Sequence, residues 1–206
     1  MVTTIDSNLG NSGDSRSSIQ RIAAYGQVGQ WSLVIGPHSI RHVMMNLIAG
    51  LAEQEPVRVL DGGASLEERQ LGWLEVAHLL RNLPNAIDRV SMRQAFSCYE
   101  MLFILENTAS TAVPFVVLDL LKPFYDESVK IGERKRLLRG CLKNLGRLEK
   151  YAGGMVSVSP PMVRSRESVG LFKMVEGATT DSYRREIMLP SPDLQRLFSN
   201  IKKRKK

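Results

Sequence analysis

A chain of 206 residues is long enough for one domain with a sizeable core, and a hydrophobic share of 43% excludes wholesale disorder. Its 28 Lys and Arg against 21 Asp and Glu give a formal charge of +7, which favours a polyanionic partner because neutralised phosphates release condensed counterions. No apolar run approaches the roughly 20 residues that cross a bilayer, and the N-terminal stretch lacks the apolar segment of a secretory signal. The expectation is a soluble protein with no membrane partner, cytoplasmic or nucleoid-associated, or nuclear in a eukaryote.

Residues 1–18, rich in Ser, Asn, Gly and Asp, read as a disordered tail. A core domain is expected over 19–198 and a basic tail over 199–206. Residues 19–30 read as a small turn or edge element. WSLVI over 31–35 then reads as a buried strand, Gly36-Pro37 as a turn, and the next segment as a helix with Ile40, Val43, Met44, Leu47 and Ile48 at helical spacing. A nucleotide-binding α/β protein places its phosphate loop, G-x-x-x-x-G-K-[ST], in such a strand-turn-helix. On that template Gly36 takes the first glycine position, while Arg41, His42 and Val43 stand where Gly, Lys and Ser/Thr belong. The frame is present and most of its chemistry is not.

A second β-rich run, 57–60, ends in VLDGG, and 66–80 reads as a helix ahead of Pro84. Residues 87–92 read as a third strand and 93–107 as a helix burying Phe96, Met101, Leu102 and Leu105. PFVVLDLL over 114–121 is continuously apolar but for Asp119, the pattern of a central parallel strand covered on both faces. A long helix follows over 128–151, with Leu138, Cys141, Leu142, Leu145 and Leu148 as its inward stripe. A strand over 155–159 is closed by Pro160-Pro161. Residues 169–175 and 183–189 read as a C-terminal antiparallel β pair around Gly177. Strands alternating with helices predict an α/β fold with a mostly parallel central sheet. Cys98 and Cys141 read as buried thiols.

The order of these segments resembles the ATPase core of the RecA family of recombinases, with its archaeal and eukaryotic Rad-type members and their paralogues, over about 19–189. Residues 31–50 occupy the phosphate-loop position. VRVLDGGASLEER is similar to the family's D-T-E-G-x-F-x-x-E-R segment, and DRVSMRQAFSCYEMLFILEN resembles the strand and helix with the N-V-x-x-x-R-A pattern. Residues 115–121 match the Walker B strand with Asp119 as its acid. Residues 153–159 match the strand before the second DNA-binding loop. The departures lie at the chemistry. His42, with an unperturbed pKa of about 6.5, replaces the phosphate-binding Lys. Val43 offers no oxygen to Mg²⁺, the water-positioning Glu falls on Gly63, and the polar sensor falls on Ser159.

The resemblance thus implies a degenerate nucleotide site of Gly36, Arg41, His42 and Asp119, with no catalytic residue, no hydrolysis and no cofactor. Binding of ATP without turnover is left open. No metal site is expected, since His38, His42 and His78 lack matching ligand spacing. DNA contact is expected from Lys130, Arg134, Lys135, Arg136, Arg139 and Lys143 on the long helix, from Arg164 and Arg166 where the family has its second DNA loop, and from Lys202, Lys203, Arg204, Lys205 and Lys206. The function implied is that of a non-catalytic recombinase paralogue, as in Shu-type partners: a DNA-repair and homologous-recombination accessory factor. It would form a hetero-oligomer with a RecA-like partner subunit and assist a recombinase on single-stranded or forked DNA. Two rival readings are a structural RecA-like subunit of an RNA-binding assembly, as in Elongator, and a weak ATPase completed by a partner.

Overall fold

The computed structural model describes residues 28–29, 31–36, 40–63, 77–78, 80–81, 86–161 and 165–178. Its strands are β1 (Trp31–Ile35), β2 (Val57–Asp61), β3 (Val90–Gln94), β4 (Phe115–Leu118) and β5 (Gly154–Val158). Four α-helices are described end to end: α1 (Ile40–Gln54), α2 (Cys98–Glu106), α3 (Ile131–Leu148) and α4 (Arg166–Ala178). Every strand pairing is parallel, in the order β1-β5-β4-β2-β3. This is an α/β fold with a five-stranded parallel sheet flanked by helices, consistent with a Rossmann or RecA-like core.

Strand β4, at the centre of the sheet, is apolar along its whole length because both faces are covered, and all four of its residues are buried. Successive side chains divide between the faces. Val116 and Leu118 join Val34, Val57, Val59 and Met155 under α1. Phe115 and Val117 join Leu33, Ile35, Leu60, Val156 and Val158 beneath α2, α3 and α4. Burying each such side chain contributes about 1.5–3 kcal/mol. Phe115 lies across β5 at Gly154, where a Cβ would collide with its ring.

The chain steps one way along the sheet from β1 to β2 and the other way from β3 through β4 to β5. Right-handed crossovers then require the intervening helices to lie on opposite faces, as α1 and α3 do. β1 and β5 are neighbours whose following helices, α1 and α4, cover opposite faces. The crevice above their carboxyl ends is therefore a topological switch point, where open α/β sheets take up ligands.

Several boundaries differ from the sequence expectation: residues 87–89, read as part of a strand, form a 3-10 turn before β3, and the long helix expected over 128–151 spans only Ile131–Leu148. Residues 169–175, read as a strand, belong to helix α4, which buries Ser168, Leu171 and Val175 at helical spacing; the second half of the expected β pair, 183–189, lies outside the described residues. Arg93 and Gln94 extend β3 in register with Leu60 and Asp61 instead of opening a helix. Helix α2 starts later because Ser97 caps it, its Oγ accepting from the Glu100 amide at 3.2 Å, and Phe96, half-buried, precedes the helix. Of the helix expected over 66–80, only Ala77, His78 and Leu80 are described, and all three are helical.

Candidate functional site

At the carboxyl ends of β1, β5, β4 and β2 a compact charged cluster has formed. Asp61 ends β2, and Asp119 lies one residue past β4. Both are buried, at 0% and 1% exposure. Arg41, in the first turn of α1, reaches across to Asp61 with both terminal nitrogens, at 2.9 and 2.8 Å. This parallel fork is the strongest form of a carboxylate hydrogen bond. The same guanidinium lies 3.8 Å from Asp119 Oδ2, close enough for charge attraction but too far for a hydrogen bond. One guanidinium is thus shared between two buried carboxylates.

The backbone is shaped around this sharing. Asp119 has φ = 49°, a left-handed conformation that few residues other than Gly adopt, though Asp and Asn tolerate it best. It is fixed there from β5: Ser157 Oγ accepts from the Asp119 amide at 2.9 Å, and Ser159 Oγ donates to Asp119 Oδ1 at 2.8 Å. Asp119 Oδ2 has no hydrogen-bond partner among the described residues. On the other side the Gly63 amide donates to Asp61 Oδ1 at 2.8 Å, and Lys122 Nζ donates to the Gly63 carbonyl. Tyr125 donates to the Ser159 carbonyl at 3.1 Å; burial first, and the nearby Asp119 second, push its phenol well above the usual tyrosine range.

Of the residues expected at a nucleotide site, Arg41 and Asp119 are therefore brought together. Gly36 is buried at the end of β1, and its amide donates to the Val158 carbonyl at 3.3 Å. His42 lies in α1. Asp61 was not among the expected site residues, although an acid ending an apolar strand before two glycines is a readable signal. Among the described residues no group of His, Cys, Asp and Glu comes together to hold a metal ion, and no helix is long and apolar enough to cross a membrane.

The expected DNA-contact residues separate into two groups. Lys130 is exposed just ahead of α3, and Arg136, Arg139 and Lys143 form an exposed stripe along that helix, with Lys135 half-buried beside it. Arg134 instead points inward at 2% exposure, donating to the Phe124 carbonyl at 3.2 Å and to Glu167 at 2.6 Å. It ties α3 to α4 and offers nothing to the outer face. Arg166 is exposed at the start of α4, while Arg164 and 202–206 lie outside the described residues.

Fold and cluster together define an α/β protein whose parallel sheet carries an internally ion-paired acidic cluster at the carboxyl ends of its strands. No protein-family model matches the sequence, and no curated protein matches it.

Proposed function

We propose that the chain is a RecA-like domain without working phosphate-loop chemistry, acting inside the cell as a non-catalytic accessory subunit in DNA repair and recombination. The observation that carries this reading is the Arg41–Asp61 fork. In a working phosphate loop the cation after the first strand must meet the β and γ oxygens, and the backbone amides must cradle them. Here His42 stands in place of that lysine, Arg41 in the second glycine's place is clasped by a carboxylate, and the Gly36 amide is engaged by β5. Freeing Arg41 would leave Asp61 buried without its counter-ion, a loss of about 3–5 kcal/mol for a buried pair. The nucleotide-facing edge is then better suited to docking a related subunit than to turnover. The exposed stripe of Arg136, Arg139 and Lys143 supports a phosphate-backbone partner, single-stranded DNA in this reading.

The test is a titration of labelled single-stranded DNA, duplex DNA and tRNA by anisotropy over a range of salt. Binding to single-stranded DNA that weakens steeply with salt and on removal of 199–206 is expected. Absence of binding at low salt overturns the reading, and preference for tRNA replaces it with an RNA-directed one. Release of γ-phosphate by the pure protein, abolished by Asp119→Asn, would overturn the loss of catalysis.

A further inference from the structure

Helices α2 and α3 lie side by side and point the same way. Leu102 is packed so closely on Gly140 that a Cβ there would come within 2.8 Å of its Cδ1. Further along, Arg147 donates to the Leu105 carbonyl at 2.9 Å. Near the start of α3, Arg136 bonds Glu133 at 2.8 and 2.6 Å, which raises its pKa. Two levels of contact therefore set the register, and at about 1.5 Å of rise per residue they place Phe103 level with the turn between Arg139 and Lys143.

On the outward side of this pair stand two aromatic rings. Tyr99 is 50% and Phe103 63% exposed, four residues apart and thus on one stripe of α2. Among the described residues they are two of four large hydrophobics that are exposed, and they are the two that neighbour each other. The adjacent stripe of α3 carries Arg136, Arg139 and Lys143. Three acids share the region. Glu133 is held by Arg136 through bonds of 2.8 and 2.6 Å, and Glu100 accepts from the Phe96 amide at 2.7 Å. Glu106 lies at the far end of α2. Arg139 and Lys143 have no acidic partner among the described residues.

We propose that Tyr99 and Phe103 form a base-stacking platform for single-stranded DNA, whose backbone runs along the Arg139–Lys143 stripe of α3. Nucleotides carry a flat apolar face on one side of the sugar and a charge on the other. A two-lane surface, aromatic beside cationic, is complementary to that arrangement and to no feature of closed duplex DNA, whose bases are stacked away. Cations alone would bind any polyanion; the adjoining rings select strands with unpaired bases. The proposal rests on the nucleic-acid reading given above and adds to it the part of the surface that meets the bases.

The experiment compares a short oligodeoxythymidine with an abasic deoxyribose-phosphate strand of equal length, on the full chain and on the Tyr99→Ala/Phe103→Ala variant. Both residues are exposed, so the variant should keep its fold, which circular dichroism checks. The intact chain should prefer the strand with bases by about 30-fold if two bases stack at the lower end of measured stacking strengths. The variant should bind both strands alike, and Tyr99→Phe/Phe103→Tyr should restore the preference. A base preference unchanged in the alanine variant overturns the platform while leaving nucleic-acid binding intact. Failure of the intact chain to bind either strand overturns the nucleic-acid reading itself. Tighter binding to oligouridine overturns the assignment to DNA. A wild-type dimer dissolved by the alanine variant overturns the platform in favour of a contact between copies.

Discussion

Gly62 and Gly63 follow Asp61 into the charged cluster, and neither has room for a side chain. A Cβ on Gly62 would come within 2.6 Å of Met101 Cε and 2.9 Å of the Asp119 carbonyl. On Gly63 it would come within 2.7 Å of both Arg41 Nη1 and Asp119 Oδ2, and so wedge the ion pair apart. Gly170, in the middle of α4, has nothing within 4 Å of its Cβ position. The two sites should answer the same substitution with opposite signs. Gly63→Ala is expected to destabilise by about 1–3 kcal/mol, the usual range for overpacking. Gly170→Ala is expected to stabilise by about 0.5–1 kcal/mol, since it removes backbone freedom from a helix interior. Urea midpoints at unchanged slope measure both. At this scale the sequence was only partly legible. The departure from a phosphate loop could be seen in Arg41, His42 and Val43, but Arg41's partner could not, because Arg41 and Asp61 are 20 residues apart and meet only when the ends of β1 and β2 are brought to one edge.

Helix α2 shows what the elements themselves required. Its last carbonyls have no partners within the helix. Asn107 Nδ2 donates to Phe103 and Thr108 Oγ1 to Ile104, both locally. The Leu105 carbonyl, which the Thr108 amide reaches only at 3.3 Å, is joined with the loop beyond by Arg147 from α3, which reaches the carbonyls of Leu105 at 2.9 Å and Thr108 at 3.0 Å, and the Ser110 hydroxyl. Arg58 of β2 grips the other end of that loop, at the Val113 carbonyl, 2.6 Å away, and the Thr111 hydroxyl at 2.9 Å. Burial, and secondarily repulsion from Arg147, lower its pKa from the ordinary arginine value. Arg147→Ala should cost about 2 kcal/mol, a few hydrogen bonds at ~1 kcal/mol or somewhat less each. Arg147→Lys should recover the smaller part, because an ammonium cannot fork to several carbonyls. Hydrogen exchange checks the location: protection should fall over 104–111 and persist in β4. Elements of this kind were legible where an apolar run had one interpretation, as in β1, β4 and β5. They were not where a run of four to seven apolar residues fits both periods. Val169, Leu171, Met174 and Val175 satisfy alternation almost as well as the helical stripe that α4 adopts, and only packing of Leu171 and Val175 against α3 decides between them.

The charge of the whole molecule is the property that composition overstates. A formal +7 counts every arginine alike, yet Arg41, Arg58, Arg134 and Arg147 are engaged with carboxylates and carbonyls inside the fold or at its seams. Arg89, on the surface, donates to the Glu53 carbonyl at 2.8 Å and closes α1 against the approach to β3. Among the described residues, the largest group of exposed cations runs along α3 and its start, with Arg81, Arg93, Arg166 and Lys173 exposed elsewhere. If that stripe is an electrostatic contact, the salt dependence that remains after removal of 199–206 must lie in it. Binding of single-stranded DNA should weaken with salt along a log–log slope that Arg139→Gln/Lys143→Gln makes shallower by about 1.4, from about 0.7 for each phosphate no longer neutralised. Arg89→Gln should leave the slope unchanged although it, too, removes a unit of net charge. Equal flattening per charge by both would mean that binding follows total charge, and the stripe would then have no special part in it. The comparison separates a surface that the fold has arranged from a charge that the composition merely contains, because net charge acts over the whole surface while counterion release counts only the cations that touch phosphates.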